Sequence, residues 1–206
     1  EDIFSPALEN NRDVDDMYAD PTFAQGLLGY AYSMLPYQTK SETDVATDDA
    51  VTNDIGSTYI RMATGSWSAN SDPMSRWQSC RASIQYVNQF ISIADGVKWA
   101  DNETVQMLYA DRLKGEAIAL RALNMYYLLM AHGGWSADGR LLGFPIVLEV
   151  EGKDSDFNVN RNTFQECVDQ IFKDATAAMD LLPLDYTEHT ELPAKYKAMG
   201  LTNVGE

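Results

Sequence analysis

The sequence predicts a mainly α-helical protein, built of long amphipathic helices joined by long irregular loops. Three observations carry this. Apolar residues recur at helical spacing over residues 73–94, 103–131 and 163–182. Capping and breaking residues flank these stretches. The one β-branched apolar run, residues 141–150 (LLGFPIVLEV), reads as an extended packing segment rather than a strand of a sheet. The 206 residues suffice for one large domain or two small ones.

Taken in order, residues 1–20 are acidic and weakly patterned, and read as an extended surface arm. Asp20-Pro21 opens a first helix, with Asp as N-cap and Pro at the first helical position. Phe23, Leu27, Tyr30 or Ala31, and Met34 continue it until Pro36. Gly26 and Gly29 weaken it, but would let a neighbour pack closely. From Gln38 to Asp72 the periodicity fails in favour of Ser, Thr, Asp, Asn and Gly. A loop this long in a compact domain, when ordered, is often functional. It holds two aromatics, Tyr59 and Trp67, that no stripe accounts for.

Asp72-Pro73 repeats the opening signal. Trp77, Cys80, Ile84, Val87, Ile91 and Ala94 then form an amphipathic stripe, closed by Asp95-Gly96. After a short loop containing Trp99, Asp101 or Asn102 caps a helix that runs to about Ala131, ~40 Å long at the α-helical rise. Its stripe is Val105, Leu108, Leu113, Ala117, Leu120, Leu123, Tyr127 and Met130, and Gly133-Gly134 ends it. Thr163 with Glu166 makes a capping box for a third stripe of Phe164, Cys167 or Val168, Ile171, Ala175, Ala178 and Leu182, stopped by Pro183. The tail reads as loop.

The helices near 73–94 and 103–131 form an antiparallel pair, and 163–182 looks like the first half of another. Pairs that bury one face against the next are the physical basis of tetratricopeptide-type solenoids. The local signature is weak (Ala122 and Tyr126, then Leu182-Pro183), so these residues alone leave a solenoid and an ordinary bundle equally open.

Composition excludes several functions. Acidic residues number 31 against 15 Lys plus Arg, a formal charge of −16. Neither nucleic-acid binding by counterion release nor docking on an anionic membrane through a basic patch suits that balance. No apolar run approaches the ~18 residues of a membrane span. The two cysteines, Cys80 and Cys167, allow at most a single disulfide; both lie on apolar stripes, and buried free thiols are the better reading. The chain opens at Glu1 without Met or hydrophobic leader, which suggests that a signal peptide was removed or left out.

No phosphate-binding loop, metalloprotease helix, EF-hand loop or nucleophile elbow occurs, and no cofactor is implied. His132 falls in the last turn of the long helix, where its charge would favour the helix dipole. Asp44, Asp48, Asp49 and Asp54 are hard ligands for Ca²⁺ in type, but their spacing fits no known loop, and a solvated acidic surface is the better reading. No enzymatic activity is predicted.

The order of segments carries a resemblance. The run 112–134 (RLKGEAIALRALNMYYLLMAHGG) closely resembles the long helix of SusD/RagB-family proteins, in which a GEA…LRA…Y…L core leads into Gly-Gly and then a Pro-containing apolar segment, here Gly143-Phe-Pro-Ile-Val. Arg161-Asn-Thr-Phe through Ala175, Leu182 and Pro183 matches the family's next helix. Trp77 and Asn88 match its preceding one, and Asp20 to Pro36 match its N-terminal helix. The resemblance implies a mainly all-α fold of tetratricopeptide-like helix pairs with long irregular loops, in a lipoprotein on the outer face of the outer membrane, capturing glycans, or peptides in some members, as a lid on a SusC-like TonB-dependent transporter. It also implies that residues 1–206 are the N-terminal portion of a SusD-like domain truncated at its C-terminus: residues 1–36 arm and first helix, 37–72 ligand loop, 73–206 scaffold. The lipid anchor on an N-terminal Cys is absent from this chain.

Sugars present apolar C–H faces and a rim of hydroxyls, so a glycan site combines exposed aromatic platforms with polar side chains. Trp67, with Tyr59, Asn70, Asp49 and Asn53 nearby in sequence, supplies that mixture and is the expected ligand-binding set for a polysaccharide or oligosaccharide. Trp135 and Trp99 are weaker candidates, read as packing residues, and Trp77 reads as core. The alternative is a helix-repeat adaptor for protein partners.

Overall fold

The computed structural model describes residues 14–36, 43–68 and 70–203, and it is mostly helical. In chain order it contains α1 (Val14–Tyr18), α2 (Pro21–Ser33), α3 (Tyr59–Ala63), α4 (Trp77–Ile93), α5 (Glu103–His132), β1 (Gly134–Trp135), β2 (Leu141–Leu142), α6 (Phe164–Leu181) and α7 (Ala194–Lys197). A 3-10 turn spans Thr43–Ala46. The two strands make one antiparallel ribbon, pairing Gly134 with Leu142 and Trp135 with Leu141. The rest of 141–150 is extended packing backbone.

Helix starts follow from capping. Asp20 Oδ1 accepts from the Thr22 N–H at 2.8 Å, and Pro21 stands at the first helical position. Asn102, not Asp101, caps α5, accepting from the Thr104 and Val105 N–H groups at 3.0 and 3.1 Å. Thr163 and Glu166 form the reciprocal capping box of α6. The Asp72-Pro73 signal resolves differently: Asp72 Oδ1 accepts from Met74 N–H at 2.8 Å in a turn, and α4 opens only at Trp77. An Asp side chain that bonds the backbone two residues on mimics a turn as readily as a cap.

α5 is the axis. α4 packs on one side, α6 on another, and α2 lies against α4 and the middle of α5. One apolar cluster joins Leu27, Leu28 and Ala31 of α2 to Val87 and Phe90 of α4 and to Leu113, Ala117 and Leu120 of α5. The second joins Cys80 and Ile84 to Met125, Leu128, Leu129, Phe144 and Cys167. The start of α4 thus meets the end of α5, as an antiparallel pair requires. Both cysteines are buried free thiols whose pKa burial pushes up. Two glycines permit close approach: a Cβ on Gly143 would stand 2.3 Å from Cys167 Sγ, and one on Gly115 2.8 Å from Leu182.

Four expectations need correction. Residues 14–18 of the presumed extended arm are helical, with Tyr18 stacked by Phe23 at 5.8 Å and its hydroxyl accepting from Gln89 at 2.9 Å; residues 1–13 lie outside the described residues. Gly26 and Gly29 face solvent with nothing near them, so they admit no neighbour; of the alternatives Tyr30 and Ala31 it is Ala31 that is buried, and Ala24 and Leu28 join that face of α2. On α5, Val105, Leu123 and Met130 are exposed, while Ala110, Ala122, Met125 and Leu129 are buried. A helix with three neighbours buries several flanks, and a single stripe misplaces its edges. Residues 38–72 are not wholly irregular, since α3 and the 3-10 turn lie within them.

Between the apolar clusters sits a polar joint. Arg121 is 9% and Asp174 3% exposed. Arg121 Nε donates to Asp174 Oδ2 at 2.6 Å and Nη2 to Oδ1 at 3.2 Å, the two-pronged geometry that suits guanidinium and carboxylate. Its Nη1 donates to Asn88 Oδ1 at 3.0 Å. Asn88 Nδ2 in turn donates to the carbonyls of Val147 and Glu149 at 3.1 and 3.0 Å. Arg161 does the same for the preceding stretch, its Nε bonding Gly143 O at 2.6 Å and its Nη2 bonding His132 O. Removing the charge of Asp174 leaves Arg121 buried and unpaired. Asp174→Asn should therefore lower unfolding free energy in urea by about 3–5 kcal/mol, and a loss below ~1 kcal/mol would show that the joint is dispensable.

Candidate functional site

The described part of the aromatic-bearing loop, 43–68 and 70–72, folds mainly on itself. Asp54 starts a tight turn, its Oδ1 accepting from Gly56 N–H at 2.9 Å and its carbonyl from Ser57 N–H at 3.0 Å. α3 packs on the 3-10 turn. Its C-terminus is closed by Ser66 N–H, which bonds Arg61 O at 2.8 Å, while Gly65 takes a φ of +70° that side chains disfavour. Arg61 Nη1 then reaches Ser71 Oγ at 2.8 Å, and Ser68 pairs with Ser71, so the tip carrying Trp67 is clasped at its base.

On this frame Trp67 is 52% exposed. Tyr59 heads α3 and is half-buried, whereas Asp49, Asn53 and Asn70 are exposed. Asp49 follows the 3-10 turn, Asn53 precedes the Asp54 turn, and Asn70 follows the Trp67 tip. No hydrogen bond or ring contact joins these five residues to one another. They share a segment and solvent, not a formed pocket. The residues 37–42 and 69 of the loop lie outside the described residues. Asp44, Asp48, Asp49 and Asp54 are exposed, and among the described residues no cluster of three or more His, Cys, Asp or Glu is placed to hold a metal.

The other indoles separate cleanly. Trp99 packs, its ring 6.2 Å from Phe90 and its Nε1 donating to Ala94 O at 3.2 Å. Trp77 is half-buried, edge-on to His132 at 5.4 Å, with the Arg81 guanidinium 5.8 Å from its ring. Trp135 departs from its packing expectation: β1 is a surface ribbon, and the indole is 75% exposed. Arg61, absent from the expected set, braces the loop. Its one cue was a cation between α3 residues otherwise without charge.

The loop's exit is fixed to the far end of α5. Arg76 N–H, one of the orphan donors at the start of α4, gives its hydrogen bond to His132 Nε2 at 3.0 Å. His132 therefore acts as a neutral acceptor, not as a charge on the helix dipole. Burial pushes its pKa down, the nearby Asp72 opposes this, and Arg161 adds to it.

A SusD-like family model described as "starch-binding associating with outer membrane" matches residues 9–202. No curated protein sequence matches the chain. Among solved structures, a SusD-like protein from Bacteroides fragilis superposes with a TM-score of 0.68 at 18% identity, over 89% of this chain and 33% of that one. A putative sugar binding protein from Bacteroides vulgatus gives 0.60 at 24%, over 83% and 39%. A SusD superfamily protein from Bacteroides thetaiotaomicron gives 0.56 at 19%, over 82% and 39%. At these identities the likeness is one of fold, and this chain spans a third to two-fifths of those proteins' length.

The His132 bond predicts a pH dependence. A histidine whose folded pKa is depressed takes up its proton more readily in the unfolded chain. Its contribution to stability is thus complete above the ordinary value of 6.5 and is lost as pH falls below it. His132→Gln, which keeps an acceptor that does not titrate, should flatten the decline in urea midpoint between pH about 8 and about 5.5. Parallel declines in the parent and His132→Gln would contradict it.

Proposed function

The chain belongs to the SusD-like family, and on that premise we propose that it is a cell-surface glycan-binding protein that delivers oligosaccharide to a SusC-like TonB-dependent transporter. The observation that carries the binding role is the half-exposed Trp67 indole on a loop braced at its base. A pyranose ring can lay its apolar C–H face on that indole while Tyr59, Asn70, Asp49 and Asn53 exchange hydrogen bonds with its hydroxyls. A platform fixed before binding loses less entropy on capture than one that must be ordered by the ligand. The proposed role needs binding and release without a bond-making step, so no catalytic residue is assigned.

No helix among the described residues is long and apolar enough to cross a membrane. Association with the outer membrane is proposed to run through an N-terminal lipid anchor. The similar structures include one described as sugar binding, which supports carbohydrate over peptide as the ligand.

Calorimetric titration of the chain with maltoheptaose and a panel of other polysaccharide fragments tests the site. Trp67→Ala should cost ~2 kcal/mol, or roughly thirtyfold in Kd. Unchanged affinity for every glycan that the parent binds would remove Trp67 from the site.

A further inference from the structure

The segment that carries Trp67 is hydrogen-bonded to the helix frame at its exit. Among the described residues 44–68 and 70–75, the hydrogen bonds run inside the segment, as from Gly56 and Ser57 to Asp54, Ser66 to Arg61, Arg61 to Ser71, and Met74 and Ser75 to Asp72. The first to leave it is the one that Arg76 N–H donates to His132 Nε2 at 3.0 Å. That acceptor belongs to a side chain that titrates near neutral pH.

A neutral imidazole accepts at Nε2 only while its proton sits on Nδ1. Imidazolium carries N–H on both nitrogens, so the pair would stand donor against donor, and an orphan N–H at the start of α4 would lose its partner. The helix dipoles do not reverse this, because the end of α5 favours the charge while the start of α4 opposes it. The charged groups around the ring come from each neighbouring element. Asp72 lies on the loop exit, and Arg161, before α6, bonds His132 O. Arg76 stands at the start of α4, and Arg81 lies over Trp77, whose ring is edge-on to the imidazole. Asp72 is the anion in this set, and its Oδ1 is the acceptor that closes the Met74 turn. Protonation therefore acts on both ends of residues 72–76: it repels the Arg76 N–H and attracts the Asp72 carboxylate.

The geometry points to a proton-operated latch: neutral His132 holds the loop exit against the end of α5, and protonated His132 releases Arg76, draws on Asp72 and re-sets residues 72–76, which displaces the Trp67 segment while the helix frame stays folded. This goes beyond a loss of overall stability in acid, because it is a local change with the core intact. The displacement follows from the bonding itself. Its consequence for ligand capture, a platform in place at neutral pH and displaced in acid, rests on the glycan-binding reading above.

The test needs no ligand, so its failure is separate from failure of the glycan reading. The chain, labelled with 5-fluorotryptophan and assigned by Trp→Phe replacement, is followed by fluorine NMR from pH about 8 to about 5. The Trp77 line reports the imidazole beside it, and the Trp67 line reports the loop. Both should shift with one midpoint below 6.5, while Trp99, packed on Phe90, stays still. Over the same range the Arg76 amide should lose roughly tenfold or more of its protection from hydrogen exchange, corrected for the intrinsic rate, and amides 117–129 should keep theirs. His132→Gln should abolish the Trp67 shift. His189→Gln, at the other histidine, exposed beside Glu188, should leave it unchanged. Should His132→Gln fail to fold, Asp72→Asn, which keeps the Met74 turn acceptor, should move the midpoint to lower pH. Titration at Trp77 with Trp67 and the Arg76 amide unmoved would overturn the latch, as would absence of any titration at Trp77. A Trp67 shift that persists in His132→Gln would also overturn it. So would all lines shifting together with loss of helical circular dichroism, since that is global unfolding.

Discussion

A guanidinium buried to nine-tenths has few ways to exist in a protein, and the fold is arranged around satisfying one. Arg121 of α5 takes its countercharge from α6 through Asp174 and a neutral acceptor from α4 through Asn88. Asn88 spends its own donors on the backbone at 147 and 149, so a stretch without secondary structure is tied to α4. Three helices and an extended segment are tied at one point. Close packing already resists sliding of α4 and α6 along α5, and the bonded charge pair adds a directional constraint that a shift in register would break.

That fixed frame determines where the loop leaves. α4 begins where Arg76 N–H finds His132 at the end of α5, and the same terminus is bonded through His132 O to Arg161. The loop is consequently delivered at a defined place, while its own shape comes from short-range bonds such as Arg61 to Ser71. Separating a packed scaffold from a self-braced loop lets the loop change without disturbing the core. The indoles follow this division except at one place: Trp77 and Trp99 serve packing and Trp67 is exposed, but Trp135, on the surface ribbon after α5, is exposed as well.

The sequence made the helices legible because their start signals are local. Asp20-Pro21, Asn102 and the Thr163–Glu166 box each bond within three residues, and each reads correctly. Asp72-Pro73 misleads for the same reason: the pattern that caps a helix also closes a turn, and the start of α4 is bonded to the distant His132 as well as to its own sequence neighbours. Asp174 sits on an apolar stripe without drawing notice, since its partner lies 53 residues away. The candidate loop was legible as a break in periodicity holding unexplained aromatics, but convergence is a three-dimensional property, and the five residues are not bonded to one another.

The most direct test of the account is hydrogen exchange of the whole chain with and without maltoheptaose. A braced loop on a rigid frame predicts that amides of 84–93 and 117–129 exchange slowly and identically in both states, while those of 59–68 slow on ligand addition. Ligand-dependent slowing spread through the helix frame, with 59–68 unchanged, would contradict it.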